Sequence, residues 1–230
     1  QSTAANAAGK YDPVSQKKNL AMLLDDDHKR LRPHEFIVPS PWYPQHLHYI
    51  PSNPHSMEVM REALAPKLGR ERRLARILKL LASDYHFIII DTGPANDILT
   101  QNALVAADFV IAPINLDFLG LEAVTRTTQM IQQVQIGLDQ DTPRLLGLLG
   151  TFYRKGVLAS DESLNLLRDE FSSSVFETVI PLNSAIPDSF SAGTDIFTYD
   201  KYSPSAKAYS NVIREIILRL HSFQQKNHGQ

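Results

Sequence analysis

The sequence contains no cysteine. That excludes a disulfide framework, a thiolate zinc centre and a cysteine-held iron–sulfur cluster. No apolar run approaches the length of a membrane-spanning helix. Charge of either sign is not in excess: 23 basic residues face 25 acidic ones, for a net charge of −2. A chain so balanced is not an electrostatic nucleic-acid binder as a whole, and any such contact has to come from a local patch. A phosphate-cradling Gly-x4-Gly-Lys-Ser/Thr run is also missing; Gly9-Lys10 leads into Tyr11 and reads as a turn. What the chain does have is length and apolar content, 230 residues at 43% hydrophobic, enough for a proper core. The expectation is a single domain over residues 1–230 with a polar tail at 224–230.

The most informative stretch is Tyr85-His86-Phe87-Ile88-Ile89-Ile90-Asp91-Thr92-Gly93-Pro94. Phe87 to Ile90 is an apolar, largely β-branched run and reads as a strand buried on both faces. Asp91 then stands at the carboxyl end of that strand, where open α/β sheets place their ligands. Two readings follow for Asp91: a carboxylate that helps hold Mg²⁺ in a phosphate-handling site, or the cap of the next helix. Ile98 to Asp108 reads as that helix, and Phe109 to Ile114 as another buried strand. Leu121 to Val134 reads as a helix packed through Leu121, Val124, Ile131 and Val134. Leu145 to Gly150 is a further strand. Alternating strands and helices point to a mostly parallel sheet.

Upstream, residues 17–60 read as loosely structured, with a short helix at Leu20–Leu24 and prolines that prevent long helices. Asp25-Asp26-Asp27 reads as a solvated loop. Leu47 to Asn53 reads as a strand entering a turn. His46, His48 and His55 lie close in sequence, without a carboxylate at a ligand spacing, and read as surface or core histidines. Leu74, Ile77, Leu78 and Leu81 form a helical stripe, with Arg70, Arg72, Arg73, Arg76 and Lys79 on its solvated side. Downstream, Ser160 reads as the cap of a helix carrying Leu164, Leu167 and Phe171. The last helix, with Tyr209, Val212, Ile213, Ile216 and Leu220 on one stripe, reads as docked on the core rather than on a membrane.

Residues 85–124 resemble the ParA-type partition ATPases of the wider ParA/MinD group. The residues that carry this are Asp91, Pro94, Asn102 to Leu104, Ala106 to Asp108, Pro113 and Leu121-Glu122. Thr151 to Gly156, Val179-Ile180-Pro181-Leu182-Asn183, Ala192 to Asp200 and Ser205 to Tyr209 extend it in order. Gln1 fits the glutamine of the family's Asp-x-Asp-Pro-Gln motif. The departures are Gly93, Arg154 and Leu182, which stand for a proline, an aspartate and an arginine.

The resemblance implies an α/β fold with a mostly parallel sheet flanked by helices, P-loop-NTPase-like, N-terminally incomplete and lacking the first strand and phosphate loop. It implies ATP and Mg²⁺ as cofactors of the intact protein, which would be an ATPase that partitions plasmid or chromosomal DNA. Asp91 is then the catalytic and metal-linked residue, acting on Mg²⁺ through water. Pro181 and Asn183 border the adenine, one as an apolar plate and the other as an amide, and Tyr153 lies in the loop beside the nucleotide. The implied partners are a ParB-like centromere-binding protein and a second copy in a nucleotide-dependent homodimer. Non-specific DNA binding is weakened by Leu182, no membrane is favoured, and the location is the bacterial cytoplasm, near the nucleoid. Residues 1–230 alone, without a phosphate loop, are expected to be inactive. The alternatives are a MinD-like membrane-associated positioning ATPase and a non-catalytic scaffold.

Overall fold

The computed structural model describes residues 18–25, 32–93, 95–116 and 121–228. Gln1, Gly9-Lys10, Asp26, Asp27 and Pro94 lie outside the described residues, as does the side chain of Leu121. The chain divides into two compact units, Gln1–Ala107 and Asp108–Gln230.

The first unit is mainly helical. Helix α1 (Leu20–Asp25) is followed by the short antiparallel pair β1 (Val38–Pro39) and β2 (His48–Tyr49), then α2 (Pro54–Leu64), α3 (Arg73–Lys79) and α4 (Ile98–Ala106). Helix α2 corrects the expectation of a loose segment. Pro54 does not stop it but starts it: proline at the first helical position lacks an N–H that would be unpaired there anyway. The Asn53 side chain caps the same end by accepting the Ser56 N–H at 3.1 Å. The expected strand at 47–53 shrinks to β2 for the same reason, since Asn53 and Pro54 already belong to the helix start.

Ala21, Leu23, Leu24, Met60, Leu64, Leu74, Ile77 and Ala103 form this unit's core. Of the stripe read from Leu74, Ile77, Leu78 and Leu81, three are buried and Leu78 packs half-buried against the core. Arg73 is not on the solvated side: it is 5% exposed and donates to the Leu24 carbonyl at 2.5 Å. Arg73 opens α3 four residues before Ile77, so helical spacing puts both on the buried face. Asn102 is 1% exposed and ties α4 to that turn. Its carbonyl oxygen accepts the Leu74 N–H at 3.1 Å, and its NH2 donates to the carbonyls of Arg70 and Ile98, both at 2.8 Å.

The run Phe87–Ile90 departs most from expectation. No ladder pairs it among the described residues. Phe87, Ile88 and Ile89 are exposed, Ile89 at 91%, and only Ile90 packs against the core. β-branched composition gives a segment the propensity for a strand, but only a hydrogen-bonded neighbour makes it one.

The second unit is an α/β layer. Strands β3 (Phe109–Asn115) and β4 (Arg144–Thr151) pair in parallel from Phe109 opposite Arg144 to Asn115 opposite Thr151, with a bulge at Val110/Ile111. Residues 175–181 run alongside β4 through parallel bridges, Leu148 to Val175 and Tyr153 to Pro181. Helices α5 (Leu121–Leu138), α6 (Leu158–Phe171), α7 (Ala185–Ser191), α8 (Ile196–Asp200) and α9 (Pro204–His228) surround them. The expected parallel α/β arrangement is therefore present. Helix α9 continues through Gln224 to His228, residues read as tail.

Two glycines of β4 are required by close approach. A Cβ on Gly147 would lie 2.6 Å from the Phe176 ring, and one on Gly150 would lie 2.9 Å from Leu116. Helix α6 begins before Ser160, with Val157 as its cap residue. Buried Ser160 instead accepts the Arg154 N–H at 3.2 Å, holding the loop that precedes the helix.

Helix α9 docks through Ala208, Val212 and Ile216; of the expected stripe Val212 and Ile216 pack inward, while Tyr209 and Ile213 are exposed. Its polar side does more than face solvent. Arg219 donates to the carbonyls of Leu146 and Ser173, each at 3.1 Å, and of Val175 at 2.6 Å. Its guanidinium lies 4.3 Å from the Phe176 ring centroid. Glu215, bonded to Arg219, accepts the N–H groups of Glu177 at 2.9 Å and Thr178 at 3.2 Å. Two side chains thus complete the hydrogen bonds of residues 173–178. No helix among the described residues is long and apolar enough to cross a membrane.

Candidate functional site

The carboxyl ends of parallel strands collect loop residues at one edge of a sheet. In the second unit that edge brings together Pro181 and Asn183, the two residues expected to border a base, and Tyr153, expected in the loop beside the nucleotide. The Tyr153 N–H donates to the Ile180 carbonyl at 3.1 Å, and the Leu182 N–H donates to the Tyr153 carbonyl at 2.9 Å. These bonds fix Tyr153 opposite Pro181. The Tyr153 hydroxyl donates to an Asp161 carboxylate oxygen at 2.6 Å. That bond, with burial second, raises the phenol above its ordinary range. Asn183 accepts the Ala185 N–H at 3.1 Å through Oδ1. Its carbonyl is thereby committed to the start of α7, and the group it offers a ligand is the NH2 donor.

Such an edge suits a planar, nitrogen-bearing ring: Pro181 supplies an apolar plate and Asn183 a donor for a ring acceptor. Leu182, half exposed beside them, brings no charge to the site. Phe152 was not singled out in the sequence. It precedes Tyr153, is 50% exposed and has a φ of +56°. No sequence signal marks it, because a phenylalanine seldom adopts that backbone region.

Asp91 belongs to the first unit and is exposed there. It does not cap α4. Asp97 does, accepting the N–H groups of Leu99 at 2.9 Å and Thr100 at 3.0 Å, with Arg61 paired to its other oxygen at 2.7 Å. The capping alternative for Asp91 therefore falls. One accessible carboxylate is a donor set that fits Mg²⁺, which keeps most of its waters and uses one or two carboxylates plus substrate phosphates.

Of the three clustered histidines, His48 has other employment. His48 meets the Tyr85 hydroxyl and the Pro44 carbonyl, both at 3.0 Å, using both ring nitrogens. Asp25 pairs with Lys67 at 2.7 Å. Among the described residues, no group of three metal-ligating side chains occurs.

A family model described as AAA domain matches residues 1–142. The chain is 32% identical over 174 residues to the chromosome-partitioning ATPase Soj of Thermus thermophilus, covering 75% of this chain and 67% of that one. The chain belongs to the ParA/Soj family. The chromosome partitioning protein ParA of Myxococcus xanthus is 32% identical over 175 residues, 76% of this chain and 61% of that protein. The chain thus spans about three-fifths of the length of that relative. A cobyrinic acid a,c-diamide synthase from Mycobacterium smegmatis, solved with an ATP analogue and magnesium, superposes with a TM-score of 0.65 at 27% identity, covering 75% of this chain and 68% of that one. The ParA/Soj assignment agrees with the parallel strands and with the order of the motifs along the chain.

Proposed function

We propose that this ParA/Soj-family protein contributes the base-binding edge and the metal-linked carboxylate of a partition ATPase that uses ATP and Mg²⁺. The observation that carries the reading is the arrangement of Tyr153, Pro181 and Asn183 at the carboxyl end of β4, in a chain similar to partitioning ATPases. Pro181 packs on the adenine face and the Asn183 NH2 donates to a ring nitrogen. Bound Mg²⁺ would neutralise phosphate charge, and Asp91 would orient its water shell. Phosphoryl transfer depends mainly on such placement and charge neutralisation. The 230 residues hold no phosphate-loop sequence, so residues 1–230 are expected not to hydrolyse ATP by themselves.

The reading extends to a single functional domain, to a cytoplasmic, nucleoid-associated location, to pairing of two copies around nucleotide, and to a ParB-like partner that stimulates hydrolysis. Leu182 argues against a strong DNA contact at the base edge. The test is ligand-observed NMR with adenosine. Adenosine should bind to residues 1–230, and Asn183→Leu, which removes the donor at similar volume, should weaken it about fivefold or more. Absence of binding at millimolar adenosine would overturn the reading. Mg²⁺-dependent phosphate release by residues 1–230, abolished by Asp91→Ala, would overturn the expected inactivity.

A further inference from the structure

Three residues other than glycine have positive φ among the described residues: Asp139, Phe152 and Ser172. Asp139 directly follows α5, where a left-handed residue is an ordinary termination, and Ser172 is the residue at which α6 ends and the chain turns sharply. Phe152 follows strand β4 and has no such reason. Its side chain is among the least suited to that region, since Cβ crowds the backbone there. The ring is only half covered by its neighbours. It is 50% exposed and belongs to none of the core clusters. A strained, half-exposed aromatic at the edge where the strands end is the pattern of a residue held for a ligand.

Its surroundings say which ligand. Phe152 adjoins Tyr153, whose backbone is fixed on both sides by bonds to Ile180 and Leu182. The Tyr153 hydroxyl is committed to Asp161. What this corner offers is therefore flat apolar surface, with the Asn183 donor two residues beyond the Tyr153–Pro181 bridge. We propose that Phe152 is a base-stacking residue, kept in its left-handed conformation so that its ring lies against the purine held by Pro181 and Asn183. This rests on the adenine reading above and adds a contact to it. Stacking on an aromatic ring is tolerant of base identity, so Phe152 contributes affinity while Asn183 selects the ring edge.

The experiment compares wild type with Phe152→Gly, Phe152→Leu and Phe152→Trp, using adenosine and base-free ribose as probes in ligand-observed NMR and urea unfolding as a second readout. Adenosine binding should weaken about tenfold in Phe152→Gly and Phe152→Leu and stay within about twofold in Phe152→Trp. Ribose should be indifferent to all of them. Glycine adopts positive φ without strain, so the urea midpoint of Phe152→Gly should be equal to or above that of wild type. Equal adenosine affinity in wild type, Phe152→Gly and Phe152→Leu would overturn the stacking role while leaving the adenine site intact. A lowered midpoint in Phe152→Gly would show a ring that packs for stability and would overturn the assignment as well. Failure of wild type itself to bind adenosine would overturn both proposals.

Discussion

Removing Arg219 tests the docking of the last helix. The guanidinium donates to the carbonyls of Leu146, Ser173 and Val175, pairs with Glu215 and covers the Phe176 ring. Phe176 is fully buried, and the side chains of Arg219 and Glu215 are only 19% and 17% exposed. An exposed ion pair would be worth about 0–1 kcal/mol. Breaking a desolvated pair, with bonded carbonyls left behind, costs about 3–5 kcal/mol. The partial exposure lets water replace some of those bonds, so Arg219→Met should lose about 3 kcal/mol. With a urea slope of about 2 kcal/mol/M, the midpoint should fall by about 1.5 M. Arg219→Lys should recover little, because an ammonium cannot reproduce the planar fork. A midpoint shift below about 0.5 M for Arg219→Met would refute the reasoning and make the pair an ordinary surface contact.

Glu215 adds a pH dependence. Burial pushes its carboxyl up, but the N–H groups of Glu177 and Thr178 and the Arg219 guanidinium together hold it below its ordinary 4.5. Its stabilisation is therefore fully present above that value and lost as pH falls through the depressed folded-state value; Glu215→Gln should flatten that part of the stability–pH curve. Asn102→Ala should destabilise by about 3 kcal/mol in urea unfolding, since it strands buried groups of Leu74, Arg70 and Ile98. Gly147→Ala should lower stability by about 1–3 kcal/mol, because Phe176 is itself buried and has little room to yield. Gly93→Ala, with nothing within 4 Å of the added Cβ, should stay within about 0.5 kcal/mol. Asp161→Asn should let Tyr153 ionise at lower pH, read as the ultraviolet difference titration against Tyr153→Phe.

Patterns that repeat along the chain were legible before any coordinates. The strands β3 and β4 and the helices α4, α5 and α9 carry their own periodicity, and the order of short motifs named the family. Tyr153, Pro181 and Asn183, read as nucleotide-side residues, lie at one edge. Features that depend on a distant partner were not legible. Phe87 to Ile90 has the composition of a strand, but composition does not say who pairs with it. Asn102 stood in the sequence only as part of an Asn-Ala-Leu match, although its side chain fastens a turn some thirty residues upstream. Nothing in the sequence marks Glu215 and Arg219 as more than charges on one helix, and only the fold brings residues 173–178 against them. Backbone strain at Phe152 has no sequence signature at all.

The run from Tyr85 to Ile90, exposed at His86 to Ile89, has one more consequence. Six neighbouring residues, five of them aromatic or β-branched and of high β-propensity, without proline, glycine, acid, lysine or arginine, are the signature of a segment that stacks with its own copies into cross-β fibrils. Asp84 and Asp91 bracket it, and flanking charges of this kind act as gatekeepers against self-association. Asp91 would then serve solubility as well as the metal role proposed for it. An Asp91→Ala variant that loses function is informative only if light scattering shows it as monodisperse as wild type, and Asp91→Lys, which keeps a flanking charge but cannot hold Mg²⁺, separates the two.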